Sequence, residues 1–295
     1  MINNIIKMYK TLTILLAIFC FQSIHSQKRL VSWSQQNIEN YNQDMFDAAQ
    51  RLTPAELLEK NINDEYWSEV FLTLNASLNN YTKEADYKIE LAEQITNKKE
   101  TKLKGTGRLI IWERIVTGDI LFEGKGLVMD NDLFTVAGRA NQILQSLTHK
   151  DFGSVTITTT SAELEKLKIK WLDYISGKPV EEYKHIDTSK GRIPEICSLD
   201  AAHALIISLQ DSAEKDVLTK KCLKDIYNLE EMPSDKKLPA NYCNPDTYTY
   251  GYLGMLFGDD KKDTAKDAKW WLKFWNDNNK KLIWNTEKGI YQVKK

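Results

Sequence analysis

Apolar residues recur every three or four positions along most of this chain and strict alternation is rare, so the pattern predicts helices nearly throughout. Thr53-Pro54-Ala55-Glu56 opens the first clear one, with Thr at the N-cap, Pro at N1 and Glu at N3 of a capping box. Trp67, Val70, Phe71, Leu74 and Leu78 follow as one stripe. Leu109, Trp112, Ile115 and Val116 make a second, ended by Gly118. A third runs through Leu133, Val136, Ala137, Ala140, Ile143, Leu144 and Leu147. Ser161 opens a helix through Leu164, Leu167, Trp171 and Ile175, stopped by Gly177 and Pro179. A short buried helix starts near 199, capped by Ser198 or Asp200, and Val217, Leu218, Leu223, Ile226 and Tyr227 mark its partner. The last helix spans about 263–278 and carries Trp271, Leu272 and Trp275. Residues 155–159 alternate like a strand, and 291–293 read as a small terminal one.

The resulting expectation is an all-α domain over 27–295, with little or no β structure, built as two stacked helical blocks at about 50–190 and 195–295. Trp171-Leu172 and Trp271-Leu272 close the two blocks in a similar way. The segment 132–144, with an Ala-x-x-Ala pattern around Arg139, resembles the inner helix of HEAT-like helical repeat proteins. That resemblance covers 105–150 and 198–230 and lacks the family's regular period of roughly 40 residues. It implies stacked helical hairpins, α-solenoid-like, and a role in binding other proteins. An irregular helical bundle is the other arrangement these stripes allow.

The N-terminus differs from everything after it. Lys7 and Lys10 precede an apolar run over 12–21, followed by polar Gln22, Ser23 and His25. A basic segment followed by an apolar core of roughly 7–15 residues is the order of a secretory signal peptide. Residues 1–26 are therefore expected to be removed before Gln27, placing the product in the periplasm or outside the cell, with Met8 an alternative start. Lipidation of Cys20 is the competing reading, but Ile18-Phe19 lack the small residues that chemistry favours. The core is too short for a bilayer, which needs roughly 20 apolar residues, and no later run reaches that length.

Charge adds an exclusion. The formal net charge of −1 becomes −3 once the two leader lysines go, which offers no electrostatic footprint for nucleic acid. Three cysteines follow the leader: Cys197, Cys222 and Cys243. Export favours disulfides, and Cys197–Cys222, flanking an apparent helical hairpin, is the first expected pair. Three buried thiols are the alternative. The spacings fit no zinc finger, and neither a metal nor a cofactor is expected.

Candidate chemistry is sparse. Asp200-x-x-His203 is an i,i+3 pair, which reads first as a cap with a packed histidine. His149 and His185 read as loop residues. Gly105-Thr106-Gly107 could present backbone N–H groups to an anion but reads as a loop entering a helix. Among 270, 271, 274 and 275, Trp270 lies furthest from the apolar face and is the one candidate for a sugar platform. Asp211-Ser212-Ala213 and Asp263-Thr264-Ala265 resemble the O-glycosylation sequence of exported proteins in Bacteroidetes-type bacteria, though both also read as N-caps.

The densest polar segment runs from Trp112-Glu113-Arg114 through Asp119, Glu123 and Asp130, with Gly118, Gly124 and Gly126 between two apolar stripes. It reads first as a connector, and connectors carry function disproportionately. The candidate binding residues are Trp112, Glu113, Asp119, Glu123 and Asp130, with Arg139 on the third stripe. No residue is assigned a catalytic role. The expected function is binding of another protein, as a scaffold or an inhibitor. The alternative is a hydrolase of glycan or peptide using carboxylates from 113–132.

Overall fold

The computed structural model describes residues 42–104, 109–186, 196–232, 242–258 and 266–294. The proposed leader, the Gly105-Thr106-Gly107 sequence and the Asp263-Thr264-Ala265 motif lie outside them. The described chain is mostly helical, with eleven α-helices and two small sheets. We number the helices α1 (Gln43–Gln50), α2 (Pro54–Asn63), α3 (Trp67–Asn80), α4 (Ala85–Glu93), α5 (Trp112–Thr117) and α6 (Val136–Thr148). Then come α7 (Ser161–Ile175), α8 (Leu199–Ser208), α9 (Ala213–Cys222), α10 (Pro245–Phe257) and α11 (Ala268–Asn278). Strands β1 (Leu109–Ile110) and β2 (Leu127–Val128) pair in parallel, and β3 (Leu282–Asn285) pairs antiparallel with β4 (Ile290–Val293).

Local chemistry sets the helix ends. Thr53 and Thr160 each close a reciprocal capping box, with Glu56 and Glu163. Ser198, rather than Asp200, caps α8, accepting from the Ala201 N–H at 3.0 Å. Gly118 at φ 84° ends α5 in the left-handed region. The 155–159 segment is not a strand. Val155 donates its N–H to Asn131 Oδ1 at 2.9 Å, and Thr156 donates to Thr159 Oγ1 at 2.8 Å, which folds the segment into a turn.

Two cores result. Helices α1–α4, α6 and α7 enclose the first, centred on Leu57, Tyr87, Leu91, Leu144 and Trp171. The second takes α5, α8, α10, α11, β3 and β4, together with the connector residues Ile120, Phe122, Met129 and Leu133. Helix α3 serves both, giving Leu72 and Ala76 to the first core and Val70 to the second. The stretch 103–133 thus packs with 196–291 although it precedes α6 and α7 in sequence.

A buried polar network links the two. Arg139, 1% exposed, donates to the carbonyls of Leu133, Asn61 and Asp64 and to Thr101 Oγ1 at 2.8–3.2 Å. Trp171 Nε1 donates to Asn141 Oδ1 at 2.7 Å, and Asn141 Nδ2 donates to Asn131 Oδ1 at 2.7 Å. Gly138 lets α6 approach the connector, since a Cβ there would lie 2.0 Å from the Asp132 carbonyl oxygen.

The disulfide differs from the expected Cys197–Cys222 pair: Cys222 bonds Cys243, with Cα atoms 5.6 Å apart. Cys197 is outside the disulfide and buried, and its carbonyl accepts from the hydroxyl of Tyr291, a residue of the second core, at 3.3 Å. The expected pairing assumed that α8 and α9 form a hairpin. Helix α8 instead packs chiefly against α5, α10 and α11, so Cys222 faces the start of α10.

Candidate functional site

The 118–131 connector is pinned at its base by Arg114. Its Nε reaches both carboxylate oxygens of Asp132 at 3.1 Å, and its Nη2 reaches Asp132 Oδ2 at 2.8 Å. Nη1 donates to Asp119 Oδ2 at 3.2 Å and Nη2 to Glu100 Oε1 at 2.9 Å. Burial works against the charge, but the hydrogen bonds that Arg114 donates to Asp132 and Glu100 hold it above its ordinary range. Asp132 is pushed up by burial and held back by Arg114.

This geometry separates the candidate binding residues. Trp112 is buried against Phe122, with ring centroids 5.6 Å apart, and cannot meet a ligand from there. Arg139 spends its donors on acceptors between the two cores, the carbonyls of Leu133, Asn61 and Asp64 and the Thr101 hydroxyl. Asp119 is exposed but tied to Arg114 and to the Thr117 hydroxyl. Asp130 is exposed and near enough to Glu113 for its charge to act on that carboxyl. Glu113 is half-buried, and burial first, then the charges of Asp200, Asp132 and Asp130, raise its carboxyl above the usual range.

Glu123 lines a cleft between the connector, α9 and the start of α10. Gly124 packs on Pro245, where a Cβ would lie 2.7 Å from the Pro245 Cα, and Gly124 itself has φ 75°. Beside it Lys125 Nζ sits 3.6 Å from the Tyr242 ring centroid and 3.9 Å from Cys222 Sγ. Leu218 and Thr219 of α9 form the opposite wall. Lys215 is spent at the base: its ammonium reaches Asp246 Oδ1 and the Ser208 carbonyl, both at 2.6 Å. The cleft thus presents a carboxylate, an ammonium and an aromatic ring, fixed by elements far apart in sequence.

Sequence reasoning did not single out Lys125, Tyr242 or Lys215. The nearest local signal, Asn244-Pro245, is an N-cap followed by Pro at N1; it marks the start of α10 but not what that helix faces.

The remaining candidates have structural roles. His203 stacks on Trp275 at 4.7 Å and 13°, and burial lowers its pKa against the pull of Asp200. Ser212 caps α9 through the Lys215 N–H. Trp270 is 38% exposed, but Phe274 stacks on it at 5.2 Å and Lys266 lies 4.9 Å from its ring centroid, which leaves little free face for a sugar. Among the described residues no group of three or more His, Cys, Asp or Glu is placed to hold a metal ion, and no helix is long and apolar enough to cross a membrane.

No family model, curated protein or solved structure matches this chain.

Proposed function

We propose that the protein is exported, through the 1–26 leader, and acts by binding another protein as a scaffold or inhibitor. The disulfide supports export, because such bonds persist mainly in oxidising compartments. Stacked helical hairpins, in a solenoid-like or irregular arrangement, would suit that role. The observation that carries the binding reading is the fixed cleft formed by Glu123, Lys125 and Tyr242. Gly124 on Pro245, the Arg114–Asp132 pair and the disulfide hold these groups before any partner arrives. A preorganised aromatic with flanking charges lowers the ordering cost of association. The mature chain and a Glu123→Ala, Lys125→Ala, Tyr242→Ala variant, immobilised side by side, test this against the extracytoplasmic fraction of the source cells. One partner held by the native surface and released at least tenfold by the variant is expected. Equal retention by both, or by neither, contradicts the reading.

One observation favours a second reading, a hydrolase of glycan or peptide. Glu113 holds its proton above the ordinary carboxylate range and feels three other carboxylates, as a general acid would. That reading requires a hydrolytic activity on a glycan or peptide panel that Glu113→Gln removes by about a hundredfold or more.

A further inference from the structure

Helix α9 and the turn after it have little apolar anchorage among the described residues. Their cluster has two fully buried members, Leu223 and Cys243, with Cys222, Tyr227, Leu229 and Met232 partly buried around them. Val217 and Ile226 of the same segment are 65% and 52% exposed. Its polar ties include the Lys215 ammonium on Asp246 Oδ1 and on the Ser208 carbonyl, both at 2.6 Å, and the approach of Lys125 to Cys222. The covalent tie is Cys222–Cys243.

The two sulfurs differ in surroundings. Cys243 is 5% exposed, whereas Cys222 is partly open and lines the cleft. The Lys125 ammonium stands 3.9 Å from Cys222 Sγ. A neutral disulfide sulfur gains little from that neighbour, whereas a thiolate gains a full ion pair. Lys125 therefore stabilises the opened bond more than the closed one.

We propose that Cys222–Cys243 is a site of thiol–disulfide exchange with a dithiol, which leaves Cys222 as a thiolate on Lys125 and frees the α9 wall of the cleft. The Cys222–Cys243 S–S bond breaks and one S–S bond forms within the dithiol, so two electrons pass from the dithiol to the protein. Of the two dithiol protons, one goes to the Cys243 sulfur and the other to solvent. The exchange chemistry stands on its own; its consequence, release of a bound protein, rests on the binding reading above.

The test equilibrates the full chain, Lys125→Met and Lys125→Arg with graded ratios of reduced to oxidised dithiothreitol, then alkylates and weighs the protein. Opening adds two modified cysteines. Lys125→Met should need about a tenfold more reducing ratio than the native chain, about 30 mV, and Lys125→Arg should restore most of it. Equal ratios for all three proteins would overturn the exchange site. In a second arm, a partner isolated with the native protein is offered to the oxidised and the reduced chain. At least tenfold weaker capture by the reduced chain is expected, and equal capture overturns the regulatory consequence. Loss of all capture in both states refutes the binding reading, while the redox titration still decides the exchange site.

Discussion

The first core and the α9 segment sit in one chain but are held together by different physics. Around α6 the apolar interior is closed by buried polar side chains, each with a defined partner: Arg139 on three carbonyls and Thr101, and Trp171 on Asn141. Around α9 there is little interior, and a covalent bond and a buried ammonium replace it. A satisfied network specifies one arrangement and resists change. A stapled segment with exposed Val217 and Ile226 keeps a surface that can respond. The difference teaches where to look for function. The residues that looked most functional in sequence and proved most buried, Arg139 and Trp112, serve the platform, whereas Lys125 and Tyr242 stand at the stapled edge.

Arg139→Leu leaves the carbonyls of Leu133, Asn61 and Asp64 without their donor and should cost about 3–5 kcal/mol in urea unfolding, with the cleft lost as well. A loss below about 1 kcal/mol would mean the network does not hold the first core. Gly138→Ala forces its Cβ onto the Asp132 carbonyl, a backbone contact that cannot swing away, and should cost about 3 kcal/mol. Replacing Cys222 and Cys243 with serine should act elsewhere. The loss of up to about 3 kcal/mol expected for that loop should appear as local opening of 213–232, with the main unfolding transition little changed.

A smaller effect concerns pH. Burial pushes the Asp64 carboxyl up to about 6, against the pull of Lys60. The folded state therefore holds that proton more tightly than the unfolded chain. The stability this gives is complete below the ordinary carboxylate range and is lost as pH rises through about 6. Stability measured from pH 4 to pH 7 should fall by about 2 kcal/mol from this group, and Asp64→Asn should flatten that part of the profile. The smallest effect sharpens the platform alone: Thr160→Ala removes the α7 capping box and should cost about 1 kcal/mol without touching the cleft.

Much of the first core was legible in the sequence because its signals are local. Thr53 caps its helix as its spacing predicts, Thr160 rather than Ser161 caps the helix expected to open there, and the 133–147 stripe became α6. The terminal strand at 290–293 was legible for the same reason. The misreadings came where a distant partner decided the outcome. The 155–159 alternation yields to Asn131, which takes the Val155 N–H. The disulfide depended on which helix lies beside α9, a matter settled by the packing of α8 into the second core. The cleft had no sequence signal because Lys125 meets Tyr242, and Gly124 meets Pro245, across separate elements. Of the six candidate binding residues Glu123 lines this cleft, and Cys222 reaches it with a different partner from the one expected.

Hydrogen exchange, followed segment by segment in the oxidised and reduced protein, tests the central contrast most directly. Reduction should strip protection from α9 and the 223–232 segment and loosen the first turn of α10, while α6 and α7 exchange as slowly as before. Unchanged protection in α9, or an equal loss in α6, would contradict the division between a self-supporting platform and a stapled edge.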